Sequence, residues 1–344
     1  MAEYAAMATK KYDFDTVWLC DDLQYENTAV ILTKLALTLN NSVGTAVTHP
    51  YGRNPIDLAS SMSSISDCLE GNRNVIMGIG TGGTVQDHIL HRMKPVRMVR
   101  ETTVFLKRLF SGEMVEIDEF PLLRDYWHFK GDRRAKLRLP PEKDIPIVVA
   151  ASGPAMLRTA GEVGDGWMIN QFCPAACLPG LRRGIIEEAV RLVEQGRERG
   201  RTETPFKKIF VSHISVSRDE RKAKDFAKRN LSYALSRVLT AKYLGTIPVA
   251  PLLGFTQAQI EPILDAYNAG LGVEGAARRV TDDMVHQSGF LVAGTPQQCV
   301  DPYGELVNHV RKQGFDHLIV GVPLGPDVPE AVQIITEEIL PSAI

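Results

Sequence analysis

The stretch Ile147-Val148-Val149-Ala150-Ala151-Ser152-Gly153-Pro154-Ala155-Met156-Leu157 decides the reading of this chain. A short β-branched run enters a turn of small residues, and a helical pattern follows with proline near its start. The helix is expected over Pro154–Val163, and a second apolar run, Gly166–Asn170, begins a few residues later. Strand, turn, helix and strand in that order make a βα repeat.

The same alternation extends in both directions. Further strands are expected at Thr16–Cys20, Ser42–Thr48, Val75–Ile79, Ile209–Val216 and His317–Val322. Helices are expected at Thr28–Asn40, Pro55–Leu69, His91–Phe110, Leu181–Arg199, Asp219–Val238, Pro296–Lys312 and Val328–Leu340. A parallel (β/α)8 barrel, of TIM type, accounts for this pattern, and a doubly wound open sheet is the alternative. The chain opens on an expected helical segment, Glu3–Lys11, with no strand read before it, so a barrel lacking its first strand at the N-terminus is the expectation. Two stretches break the rhythm, 113–144 and the helix-rich 239–287. They are expected to be insertions in a single domain spanning 1–344.

Composition narrows the function classes. The 344 residues are 44% hydrophobic and 23% charged, with a formal net charge of -2. That balance gives no general attraction to nucleic acid or to an anionic membrane. No run is long enough to span a bilayer and no leader pattern opens the chain, so a cytoplasmic protein is expected. Five cysteines (Cys20, Cys68, Cys173, Cys177, Cys299) contain no CxxC pair, which speaks against a disulfide framework and a zinc ribbon. No metal is expected.

Four segments have the character of a site. The turn Ala151-Ser152-Gly153 ahead of a helix offers backbone N–H groups to an anion, or Ser152 only caps the helix. Gly78-Ile79-Gly80-Thr81-Gly82-Gly83 follows a strand and permits close approach of a planar ligand, although its spacing is not that of a dinucleotide fingerprint. The polar segment from Gly44 to Pro55 stands at a strand end, where His49 and Arg53 are free to face a ligand or to pack the loop. Asp21 and Asp22 close the first visible strand; neighbours on an extended chain point to opposite sides, so only one of them faces the barrel mouth.

Taken together, these segments resemble the bacterial-luciferase-like flavin and deazaflavin oxidoreductases, and within them the coenzyme F420-dependent methylenetetrahydromethanopterin reductase-like group. The resemblance rests on Phe14–Asp22, Thr45–Pro55, Val149–Leu157 with Ala160–Gly166, and Val292–Pro296, in order along the chain. It implies hydride transfer between F420 and a small organic substrate. It also implies a non-prolyl cis peptide at Ala46–Val47, with Asp21, Ala46, Val47, Thr48, Thr81 and Gly82 near the cofactor and Ala151, Ser152 and Gly153 holding its phosphate. Asp22 is the candidate catalytic group. Two rivals stand beside this reading, an FMN-dependent monooxygenase on the same barrel and a non-catalytic barrel that has lost its cofactor. The chain departs from many deazaflavin relatives in carrying Asp21-Asp22 for Asp-His, and Gly83 for an acid. A homodimer is the expected assembly.

Overall fold

The structure, a computed structural model, describes residues 8–9, 11–23, 26–82, 90–173, 185–200, 205–237, 242–243 and 247–343. Cys177, Gly83 and most of the segment Glu3–Lys11 lie outside the described residues, as does the start of the expected helix at Leu181. The chain divides into two compact units. Unit 1 comprises residues 1–151, 155–167 and 193–206, and unit 2 comprises 152–154, 168–192 and 207–344.

Unit 1 holds β1 (Thr16–Leu19), β2 (Ser42–Thr48), β3 (Val75–Ile79) and β4 (Ile147–Ala150), which pair in parallel in that order. All five residues of β3 are buried, as expected of a strand covered on both faces. The helices start where the sequence places a cap. Asn27 accepts from the N–H groups of Ala29 and Val30 to open α1 (Thr28–Thr38), and Asn54 accepts from Ile56 to open α2 (Pro55–Asp67). Next come α3 (Pro95–Phe110), the short α4 (Pro121–Trp127) and α5 (Pro154–Val163).

A glycine seam packs α5 against the second half of α6 (Ile185–Gly200). A Cβ on Gly161 would stand 1.9 Å from the Val193 carbonyl oxygen, and one on Gly196 would stand 2.0 Å from that of Arg158. Gly161 lies in the stretch that carries the family resemblance, yet its visible task is close helix packing. The strand β5 (Gly166–Asn170) divides between the units. Its Trp167 is fully buried and donates its Nε1 hydrogen to the Ala151 carbonyl, 2.9 Å away.

Unit 2 centres on β6 (Lys207–Val216), flanked in parallel by β7 (Val292–Gly294) and β8 (His317–Leu324). The strand β7 was not among the expected strands. At three residues it carries no periodicity, and it had stood only as a motif ahead of the helix Pro296–Lys312. The helix-rich stretch 239–287 contributes Val249–Leu252, Gln257–Asn268, Gly272–Ala277 and Asp282–Ser288. No helix among the described residues is long and apolar enough to cross a membrane.

Candidate functional site

In unit 1 the site is built on the ends of β1, β2 and β3. Between β2 and β3, Thr45 pairs with Met77 and Thr48 with Ile79, so three steps on one strand oppose two on the other. The extra residue falls at Ala46–Val47, and the peptide bond between them is cis, as the resemblance implied. Glycine makes the close approach possible. A Cβ on Gly78 would lie 2.1 Å from the Thr45 carbonyl oxygen, and one on Gly80 would lie 3.0 Å from Val47 Cγ2. The Gly80 N–H donates to the Thr48 carbonyl at 2.9 Å, and two residues on Gly82 turns the chain with φ +84.

The carboxylate of Asp21 is the polar centre of this region and is only 2% exposed. Arg53 reaches it in a fork, with Nε to Oδ2 at 2.8 Å and Nη2 to Oδ1 at 2.8 Å, and the Thr48 hydroxyl donates to Oδ2 at 2.6 Å. Burial pushes the Asp21 carboxyl up, but the hydrogen bonds of Arg53 and Thr48 outweigh it and hold the group below the usual carboxylate range. Asp22 is less buried than Asp21, consistent with the two side chains diverging from one strand end.

Of the two readings open for Arg53 and His49, facing a ligand or packing the loop, the contacts of both fit the second. Arg53 is committed to Asp21, which no spacing rule reveals across 32 residues. His49 is 1% exposed, and its Nδ1 accepts the Gly52 N–H at 3.2 Å. Its Nε2 is buried and finds no partner among the described residues. Burial holds the His49 imidazole below its ordinary value.

In unit 2, Ser152 and Gly153 precede α5. A Cβ on Gly153 would meet nothing within 4 Å, so the turn leaves open space on that side of its backbone. Ala151 belongs to unit 1, where its carbonyl is taken by Trp167. No metal-holding cluster of His, Cys, Asp or Glu forms among the described residues.

A second buried polar cluster in unit 2 was missed. His213 sits within β6, with Nδ1 2.5 Å from the Val322 carbonyl and Nε2 2.9 Å from Asn170 Oδ1, while Phe172 stacks on its ring at 4.0 Å. Asn170 Oδ1 also accepts the Phe172 N–H at 2.7 Å, and Gln171 Oε1 accepts the His213 N–H at 2.7 Å. Burial lowers the His213 pKa to about 4, and the Val322 hydrogen bond only partly opposes that. The available signal was a histidine inside an otherwise apolar strand run, which reads as core.

Comparison with known proteins follows the same lines. The chain is 29% identical to the 5,10-methylenetetrahydromethanopterin reductase of Archaeoglobus fulgidus, over 98% of this chain and 94% of that one. Among solved structures, the coenzyme F420-dependent tetrahydromethanopterin reductase from Methanopyrus kandleri superposes with a TM-score of 0.74. The identity there is 23%, and 100% of this chain and 95% of that one are covered. An F420-dependent secondary alcohol dehydrogenase, in complex with an F420-acetone adduct, gives a TM-score of 0.70 at 19% identity, covering 100% and 94% of the two chains. These likenesses show the fold class, the (β/α)8-type barrel of luciferase-like proteins. The profile of the luciferase-like monooxygenases matches residues 2–316, and the chain belongs to that family.

Proposed function

We propose that the protein is an F420-dependent oxidoreductase that moves a hydride between the deazaflavin and a small organic substrate, in the manner of a methylenetetrahydromethanopterin reductase. The observation that carries this reading is the extent of the likeness to such reductases, which runs over 98% of the chain rather than over one motif. Bound deazaflavin supplies a ring carbon that carries hydride, and the protein binds, orients and excludes water. In this reading Ala46, Val47 and Thr48 line the ring, Thr81 and Gly82 border it, and Asp21 orients it through the Thr48 contact. Ala151, Ser152 and Gly153 hold the phosphate by backbone and hydroxyl donors, and Asp22 exchanges a proton with substrate or cofactor.

The partners are small molecules, and the protein acts as a cytoplasmic homodimer. The dimer is supported by α1, whose outward Val30 and Leu37 are 64% and 67% exposed on the same side as Lys34. Sedimentation at micromolar concentration tests it, and a monomer would reject it.

An FMN-dependent monooxygenase is the second reading, favoured by the description of the matching family. Titration separates the two. F420 should bind tightly and FMN weakly, with turnover unchanged when oxygen is removed; tighter FMN binding with oxygen consumption would promote the monooxygenase. Binding of neither would mark a barrel without cofactor. Two variants address the residues: Gly153→Val should weaken F420 binding, while Asp22→Asn should lower turnover with F420 affinity kept.

A further inference from the structure

The segment 113–144 interrupts the βα rhythm with a short helix and an antiparallel strand pair. Its helix α4 starts at Pro121, where the buried carboxylate of Glu101 on α3 accepts the N–H groups of Leu122 at 3.0 Å and Leu123 at 3.3 Å. Arg97 pairs with the other Glu101 oxygen at 2.7 Å. Leu122 and Leu123 are buried, and Phe120 packs edge-on against Phe105 with ring centroids 5.1 Å apart. Pinned at its start by charge and apolar packing, α4 presents Tyr126 one turn later.

Tyr126 reaches the loop that follows β2. Its hydroxyl donates to the Tyr51 carbonyl at 3.1 Å, and its ring meets that of Tyr51 edge-on at 5.6 Å. Tyr51 is 2% exposed, and its own hydroxyl donates to the Met93 carbonyl at 3.2 Å. Tyr51 is therefore held from both ends, main chain by α4 and side chain by the approach to α3. The residues on either side of it, Thr48 and Arg53, both grip Asp21. Between them the Gly52 amide closes onto His49 Nδ1, in a turn so tight that a Cβ on Gly52 would stand 2.6 Å from His49 Cε1.

We infer that Tyr126 is a positioning residue: the inserted segment uses it to fix the Thr48–Arg53 loop, and through that loop the Asp21–Arg53 pair, in the geometry that receives the cofactor. That the fixed loop serves a cofactor rests on the deazaflavin reading; the fixing of the loop rests on the contacts of Tyr126 and Tyr51 alone. The hydroxyl and the ring contribute separately. Removing the hydroxyl leaves the Tyr51 carbonyl without its donor while the aromatic contact persists.

The test uses the full chain as wild type, Tyr126→Phe and Tyr126→Ala. Hydrogen exchange without ligand reads the loop directly, and F420 fluorescence titration reads the consequence. Loss of one hydrogen bond should speed exchange of the Gly52 amide by about three- to tenfold in Tyr126→Phe and weaken F420 binding by a similar factor. Tyr126→Ala should exceed both effects, while amides of β1 and β3 stay unchanged in either variant. Unchanged Gly52 exchange in both variants overturns the proposal, and so does faster exchange with unaltered F420 affinity. Wild-type protein that binds no F420 would sink the deazaflavin reading, and the exchange data would still decide whether Tyr126 fixes the loop.

Discussion

The Asp21 cluster of unit 1 and the His213 cluster of unit 2 bury ionisable groups to the same degree, 2% and 4% exposed, and resolve the cost in opposite ways. Asp21 keeps its charge because a guanidinium fork and a hydroxyl replace the water it lost. His213 has no carboxylate among its described partners, and the Val322 carbonyl, which favours the charged ring, is outweighed by burial, so the imidazole is held neutral. Burial alone therefore does not set the ionisation state; the inventory of partners does.

The largest effect should come from breaking the ion pair. Arg53→Met leaves a buried carboxylate without its cation and should cost about 3–5 kcal/mol in urea denaturation at neutral pH. A loss below about 1 kcal/mol would show the pair to be as weak as a surface bridge.

Next in size is the pH response of His213. Its folded value near 4 lies below the ordinary 6.5, so the unfolded chain binds the proton more readily. Stability contributed by the neutral form is present above pH 6.5 and falls as pH drops towards 4, by at most about 3 kcal/mol. His213→Gln should flatten the stability curve in that window. Asp21 behaves differently, since its folded pKa lies below 3.8 and its contribution is lost only on acidification below that value. Two separate acid limbs in wild type, with the upper one missing in His213→Gln, is the expected result. A single limb in both proteins would contradict the contrast.

A smaller change sharpens the account of Asp21. Thr48→Val removes one charge-assisted hydrogen bond and should cost about 1.5–2 kcal/mol, with the Asp21 titration moving upward. The smallest effect belongs to the helix that follows β1, where Asn27→Ala deletes the cap of α1 and should cost about 1 kcal/mol.

Much of the fold was legible because its strands are short runs rich in β-branched and small residues, with β3 buried throughout, each followed by a helical pattern. Val75–Ile79, Ser42–Thr48 and Gly166–Asn170 fall at their expected limits. The three-residue β7 was invisible because so short a run has no period. The cis bond at Ala46–Val47 was reached through resemblance, since nothing in local propensity marks it. The site's polar partnerships were hidden for a different reason: Arg53 meets Asp21 across 32 residues and His213 meets Val322 across 109, and such pairings belong to topology rather than to any window of sequence.

The glycine seam between α5 and α6 carries a consequence for how this sequence can drift. At Gly161, Gly196 and Gly200 a Cβ would stand 1.9, 2.0 and 2.4 Å from a carbonyl oxygen of the facing helix, so even alanine must push the helices apart. Repair would need a compensating backbone shift rather than a second substitution, since the obstacle at each position is main chain. These three sites are thus closed to ordinary variation, and an engineer seeking to diversify the barrel has more freedom in the charged surface of the 113–144 segment than along this seam.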